Sequence, residues 1–202
     1  MAATLARVGV MGGTFDPPHL AHLAIASDAC ARLGLERVLF VPAAAPPHKD
    51  GGGCAPPAAR LAMTELAVEH DIRFVASGLE IERGLVYTRD TLAAVAGRFP
   101  DRELFFIMGS DSLLQFDSWH DPDDILALGS LVVAPRPGDD AAAVREAASR
   151  WDSGRVMLLD SPLLGISSSL IRARIAGGLP VRYLVPEDVE RYIAEHGLYA
   201  AS

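Results

Sequence analysis

LARVGVMGGTFDPPHLAHLAIASDACARLG, residues 5–34, carries three signals in a fixed order. Residues 5–11 are a short apolar run, Gly12-Gly13 closes it, and residues 19–33 show helical amphipathic spacing that stops before Gly34. The order reads strand, tight loop, helix. The same alternation continues outward along the chain. Residues 37–41 are β-rich, 57–70 helical, 72–75 strand-like, 88–98 helical and 104–108 a buried strand, while the apolar runs 131–134 and 156–158 flank an alanine-rich helix at 140–150. Strands separated by helices predict an α/β protein with a doubly wound, mostly parallel sheet.

Residues 42–57 form a proline- and glycine-rich loop. Beyond residue 166 the pattern turns helical, with runs at 167–176 and 186–197, and this C-terminal subregion, 166–202, reads as part of one domain spanning 1–202. Half of the 202 residues are hydrophobic, enough for one sizeable core. A formal charge of −8 argues against a general nucleic-acid binder, which needs a basic surface to displace counterions. No run approaches a membrane span and no leader precedes the first strand, so a cytoplasmic protein is expected. Cys30 and Cys54 fit no metal-ligand spacing and are too few to frame a secreted disulfide scaffold.

Open α/β sheets bind ligands beyond the carboxyl ends of their strands, which directs attention to GGTFDPPHLAH, residues 12–22. Gly12 and Gly13 allow backbone to approach a ligand, and His19 and His22 lie on one face of the first helical turn. Exposed amides, the helix dipole and two imidazoles would together favour an anion there. A turn and a helix cap would explain either half alone; the combination after the first strand points to a phosphate site. Neither a P-loop nor G-x-G-x-x-G is present.

Lys49 is the only lysine against seventeen arginines, and with His48 it ends a Pro-Pro-His-Lys stretch from which an ammonium could reach phosphates. FIMGSDSLLQFDSWH, residues 106–120, follows a buried strand, puts Asp111 at the strand's end and Trp119 in a loop, where an indole can stack on a flat ring.

Residues 12–22 resemble the signature of the nucleotidylyltransferase superfamily, with Ala21 where glycine is usual. GISSSLIRARI, residues 165–175, is similar to the superfamily's second motif, and the resemblance implies that Ser168, Ser169 and Arg172 hold the β- and γ-phosphates, with Gly12, Gly13, Thr14, His48 and Asp111 also on the ATP side. YTRDTL, residues 87–92, resembles the segment by which bacterial nicotinate mononucleotide adenylyltransferases meet the nicotinate ring, which implicates Tyr87 and Thr88. Arg136 matches a position near the acceptor, and residues 183–199 match the family's C-terminal segment.

The resemblance implies a Rossmann-like nucleotidylyltransferase fold. It also implies transfer of AMP from ATP to nicotinate mononucleotide in NAD synthesis, with His19, His22, Lys49 and Arg172 catalytic and Mg²⁺ carried by substrate phosphates, Asp16 being a candidate ligand. The expected partners are these small molecules, not nucleic acid or membrane, and a homo-oligomer is compatible. Phosphopantetheine adenylyltransferases, cytidylyltransferases and a non-catalytic nucleotide sensor are the alternatives.

Overall fold

A computed structural model describes residues 6–45, 54–151 and 154–201. Six strands form one parallel sheet: β1 (Ala6–Gly13), β2 (Leu35–Pro42), β3 (Phe74–Ala76), β4 (Arg102–Gly109), β5 (Ser130–Ala134) and β6 (Val156–Leu158), in the spatial order β3-β2-β1-β4-β5-β6. Strand order reverses between β1 and β4. The crevice at their carboxyl ends is therefore the topological switch point at which such sheets receive ligands.

Nine helices connect or follow the strands among the described residues: α1 (Leu20–Leu33), α2 (Pro57–Val68), α3 (Leu79–Arg83), α4 (Thr88–Arg98), α5 (Ser110–Leu113), α6 (Pro122–Leu128), α7 (Ala141–Ser149), α8 (Ser168–Ala176) and α9 (Glu187–Glu195). The period-2 alternation of the strands divides the core in two. Val8 and Val10 of β1, with Leu104, Phe106 and Met108 of β4, pack with residues of α4, α6 and α7. Met11, Phe105 and Ile107 point the other way, with Ala26, Ala29 and Cys30 of α1. Both faces are covered, which is why these strands read as near-continuous apolar runs.

A third cluster joins Met63 of α2 to Ile171 of α8 and Val189 and Ile193 of α9. The C-terminal subregion thus packs on α2, beside the loops at the carboxyl ends of β1 and β2. Among the described residues no helix is long and apolar enough to cross a membrane.

Four elements were not expected, among them the four-residue helix α5 that directly follows β4. The helix α3 has five residues, too few for a periodic signal, and ends at Gly84 in the left-handed region, φ 64°. A 3-10 turn at Phe116–Ser118 carries the chain to Trp119. The helix α6 opens with Pro122 in its first turn and two aspartates at 123 and 124. That signature was available in the sequence.

Candidate active site

The glycine pair makes room for two aromatic rings. A Cβ on Gly12 would stand 3.2 Å from the Phe106 ring, and one on Gly13 3.1 Å from the Phe15 ring. Phe15 is buried with φ 49° and meets His22 edge-on, ring centroids 5.0 Å apart. On the side where a Cβ would stand, both glycines pack closely against protein. The Phe15 ring supports the His22 imidazole, and the Phe106 ring packs against Trp119.

His19 and His22 stack with ring centroids 3.6 Å apart and planes inclined by 19°. The His19 amide donates to His22 Nδ1 at 3.2 Å, which assigns a neutral His22 its proton on Nε2. Burial, then the Arg136 charge, lowers the pKa of His19 to about 4; burial, then His19, then Arg136 hold His22 well below its ordinary value. Both imidazoles are neutral at pH 7. The Nδ1 atom of His19 is buried with no hydrogen-bond partner among the described residues. A buried ring nitrogen in this state is open to a water molecule or a ligand.

Most of the first amides of α1 already have acceptors within the protein. Those of His19, Leu20 and His22 are taken by His22 Nδ1, Leu184 O and His19 O. A second helix N-terminus, that of α8, faces the same loop. Ser167 caps that helix through Leu170 N–H, 3.1 Å, which leaves the amides of Ser168 and Ser169 at a helix N-terminus. This end is fastened to the histidine loop: Ser168 Oγ donates to Pro17 O at 2.8 Å and Arg172 Nη1 to Asp16 O at 2.7 Å. Arg172 Nη2 also donates to Ser169 Oγ at 3.2 Å. Two motifs more than 150 residues apart form one basic, donor-rich edge.

Asp16 faces inward. It is completely buried, and its Oδ1 accepts from Ala55 N–H at 3.0 Å and from the Tyr199 hydroxyl at 2.6 Å, while Oδ2 lies 3.4 Å from Arg172 Nη1. Asp111 and Arg136, expected on opposite substrates, pair with each other at 2.9 Å. The contact closes over Gly109, where a Cβ would come within 2.3 Å of Asp111 Oδ1. Ser110 orders the pair by accepting from the Arg136 amide at 2.9 Å and donating to Asp139. A cavity of about 170 Å³ beside Arg136 is lined by Val133, Val144, Leu158, Leu159 and Leu163.

At the other end of the crevice, Trp119 is gripped edge-on by Phe106 and Phe116, at 6.0 and 5.4 Å. Tyr87 lies tilted against His120, the neighbour of Trp119, with centroids 4.2 Å apart and planes inclined by 30°. No side chain caps the first turn of α4, which begins at Thr88. The predicted acceptor residues Tyr87, Thr88 and Trp119 therefore gather in one place, with His120 as a member that sequence reading passed over.

Arg60 was also missed. It is fully buried and donates to Ala55 O, Thr14 O and Ala43 O at 3.2, 2.8 and 2.6 Å, binding the ends of β1 and β2 to the start of α2. His48 and Lys49 lie outside the described residues.

The cytidylyltransferase-like family matches residues 10–174. The "Probable nicotinate-nucleotide adenylyltransferase" of Symbiobacterium thermophilum is 44% identical over 199 residues, which cover 96% of each chain. That of Saccharopolyspora erythraea is 43% identical over 194 residues, 96% of this chain and 89% of the relative. The chain belongs to the nicotinate-nucleotide adenylyltransferase family. The family's fold is seen in the nicotinic acid mononucleotide adenylyltransferase of Plasmodium falciparum, complexed with NaAD (TM-score 0.77) or with APC (TM-score 0.76). Each match covers 96% of this chain and 97% of the other at 18% identity, a likeness of fold alone.

The described residues include one group able to hold a metal ion, Glu69, His70 and Asp188. It follows the far end of α2, whose 12 residues span about 18 Å from the end that carries Arg60. Near the histidines, Asp16 is enclosed and Asp111 is ion-paired. The donors present suit a divalent ion that arrives on phosphate oxygens, without a carboxylate cage.

Proposed function

We propose that this chain joins the phosphate of nicotinate mononucleotide to the AMP portion of ATP, releasing pyrophosphate and forming nicotinate adenine dinucleotide. The observation that carries the reading is the neutral, stacked His19–His22 pair, with one buried nitrogen lacking a partner, set against the open N-terminus of α8.

A phosphate oxygen of the mononucleotide attacks the α-phosphorus in line, and the bond from that phosphorus to the bridging oxygen of the leaving pyrophosphate breaks with its electron pair. The nucleophile is already an anion, so the protein supplies alignment and charge stabilisation and needs no strong base. His22 Nε2–H and His19 donate to the transferring group. The amides of Ser168 and Ser169, with donors of Arg172 that Asp16 leaves over, hold the leaving phosphates. Mg²⁺, bound through phosphate oxygens and water, would neutralise their charge.

Arg136 stands close enough to the imidazoles to depress both pKa values, which favours a phosphate role for it and widens the acceptor assignment made from sequence. The apolar cavity at its side offers a flat base a place out of water. Trp119 supplies a face for the pyridine ring, and the uncapped amides of α4 suit its carboxylate. We place the reaction in the cytoplasm, as expected for a protein that works on ATP.

The test is a pyrophosphate-release assay with ATP, offering nicotinate mononucleotide, nicotinamide mononucleotide and phosphopantetheine separately. Release is expected with nicotinate mononucleotide, and His22→Ala should cut it by about a hundredfold or more while the protein stays folded. Preference for phosphopantetheine, or near-normal turnover of folded His22→Ala, would reject the reading.

A further inference from the structure

Tyr199 reaches the histidine loop from the end of the last helical segment, and its target is a carboxylate with no exposure at all. A buried charge is costly unless donors and an opposite charge compensate it, and truncating one compensator shifts the burden to the others. Among the described residues, the Tyr199 hydroxyl and the Ala55 amide donate to Asp16 Oδ1, and the Arg172 guanidinium lies 3.4 Å from Oδ2. Arg172 is the group on which both the loop and the phosphates make a demand. Tyr199 is held for this purpose in the left-handed region, φ 65°, rarely adopted by a residue with a side chain. Burial and the Asp16 contact also push its hydroxyl far above the ordinary phenol range, so that it remains a donor at every working pH.

We propose that Tyr199 is a positioning residue of the phosphate site: by carrying part of the Asp16 charge, it leaves Arg172 available to the phosphates of ATP. This rests on ATP as the donor substrate. Without the hydroxyl, Asp16 draws Arg172 onto itself, and the loss falls on ATP and not on the acceptor.

In the full chain, Tyr199→Phe should lower kcat/KM for ATP about tenfold, the scale of one hydrogen bond to a charged group, with KM for nicotinate mononucleotide within about twofold of the parent. In an Arg172→Lys background, the same change should cost less than about twofold, since the group through which Tyr199 acts has already been altered. Calorimetry with a non-hydrolysable ATP analogue reads the same coupling with no acceptor present. A parent that binds the analogue but releases no pyrophosphate with nicotinate mononucleotide would therefore defeat the acceptor reading and leave this one measurable. Asp16→Asn probes the link from its other side: with the charge gone, Arg172 is released and the analogue should bind at least as tightly as to the parent. The proposal is overturned if folded Tyr199→Phe keeps its kcat/KM for ATP, if its effect is equal in both Arg172 backgrounds, if both Michaelis constants rise alike, or if Asp16→Asn weakens analogue binding.

Discussion

Acidification from pH 7.5 to pH 5 should remove about 2 kcal/mol of folding stability through His19 alone. In the unfolded chain this imidazole titrates at its ordinary 6.5, whereas burial and Arg136 hold it at about 4 in the folded state. The group whose folded pKa is depressed takes its proton first in the unfolded form. Stability is therefore complete above pH 6.5, declines as the pH falls through the window from 6.5 to about 4, and levels off below it. At pH 5 the binding polynomials are roughly 33 for the unfolded imidazole and 1.1 for the folded one, and their ratio corresponds to about 2 kcal/mol. His22 is shifted in the same direction and adds to the loss. Urea unfolding followed by circular dichroism, with the parent and His19→Gln/His22→Gln at both pH values, isolates these two groups from the carboxylates. The parent's midpoint should fall by about 1 M more than the variant's, for a slope near 2 kcal/mol/M. Parallel shifts would refute the claim that the pair is held neutral by burial, and with it the proton assignment on His22.

Three further outcomes follow from contacts at the site. Trp119→Ala should raise KM for nicotinate mononucleotide far more than KM for ATP in steady-state assays, because the ring is held at the acceptor end by Phe106 and Phe116; equal effects would remove it from that subsite. Gly109→Ala should drive Asp111 and Arg136 apart at little cost in stability, since both side chains are flexible and nearly half exposed, yet lower kcat/KM for ATP by at least about tenfold, both measurable on one purified variant. Arg60→Met leaves the carbonyls of Ala55, Thr14, Ala43 and Ala44 without their shared donor and should cost about 3 kcal/mol, or roughly 6–12 °C in Tm by calorimetry, more than an exposed arginine would.

The sheet was legible because each of its strands is a short apolar run bounded by glycine or proline, and α1, α4 and α8 lie close to where their spacing placed them. Short elements escaped, since the five residues of α3 cannot show a 3.6-residue period. At the site, the histidine loop, the serine-arginine segment that meets it and the aromatic cluster around Trp119 could be picked out from residue types. What could not be read was which donors were already spent. The amide of Leu20 looks open in the sequence, and only the fold reveals the carbonyl of Leu184 upon it. The rings of Phe106 and Phe15 that exclude a side chain at Gly12 and Gly13 leave no mark in the sequence around them. Arg60 resembles an ordinary helical arginine because its acceptors are backbone carbonyls, which leave no residue signature.

The bond from Tyr199 to Asp16 spans 183 positions of sequence. A ribosome adding about 5–20 residues each second needs roughly 10–40 s to travel that distance. Throughout that interval the histidine loop exists without the partner that completes it. The growing chain can assemble its first strands and helices, yet the phosphate site stays unfinished until its last helical segment has been made, so adenylyl transfer should begin late in synthesis and all at once.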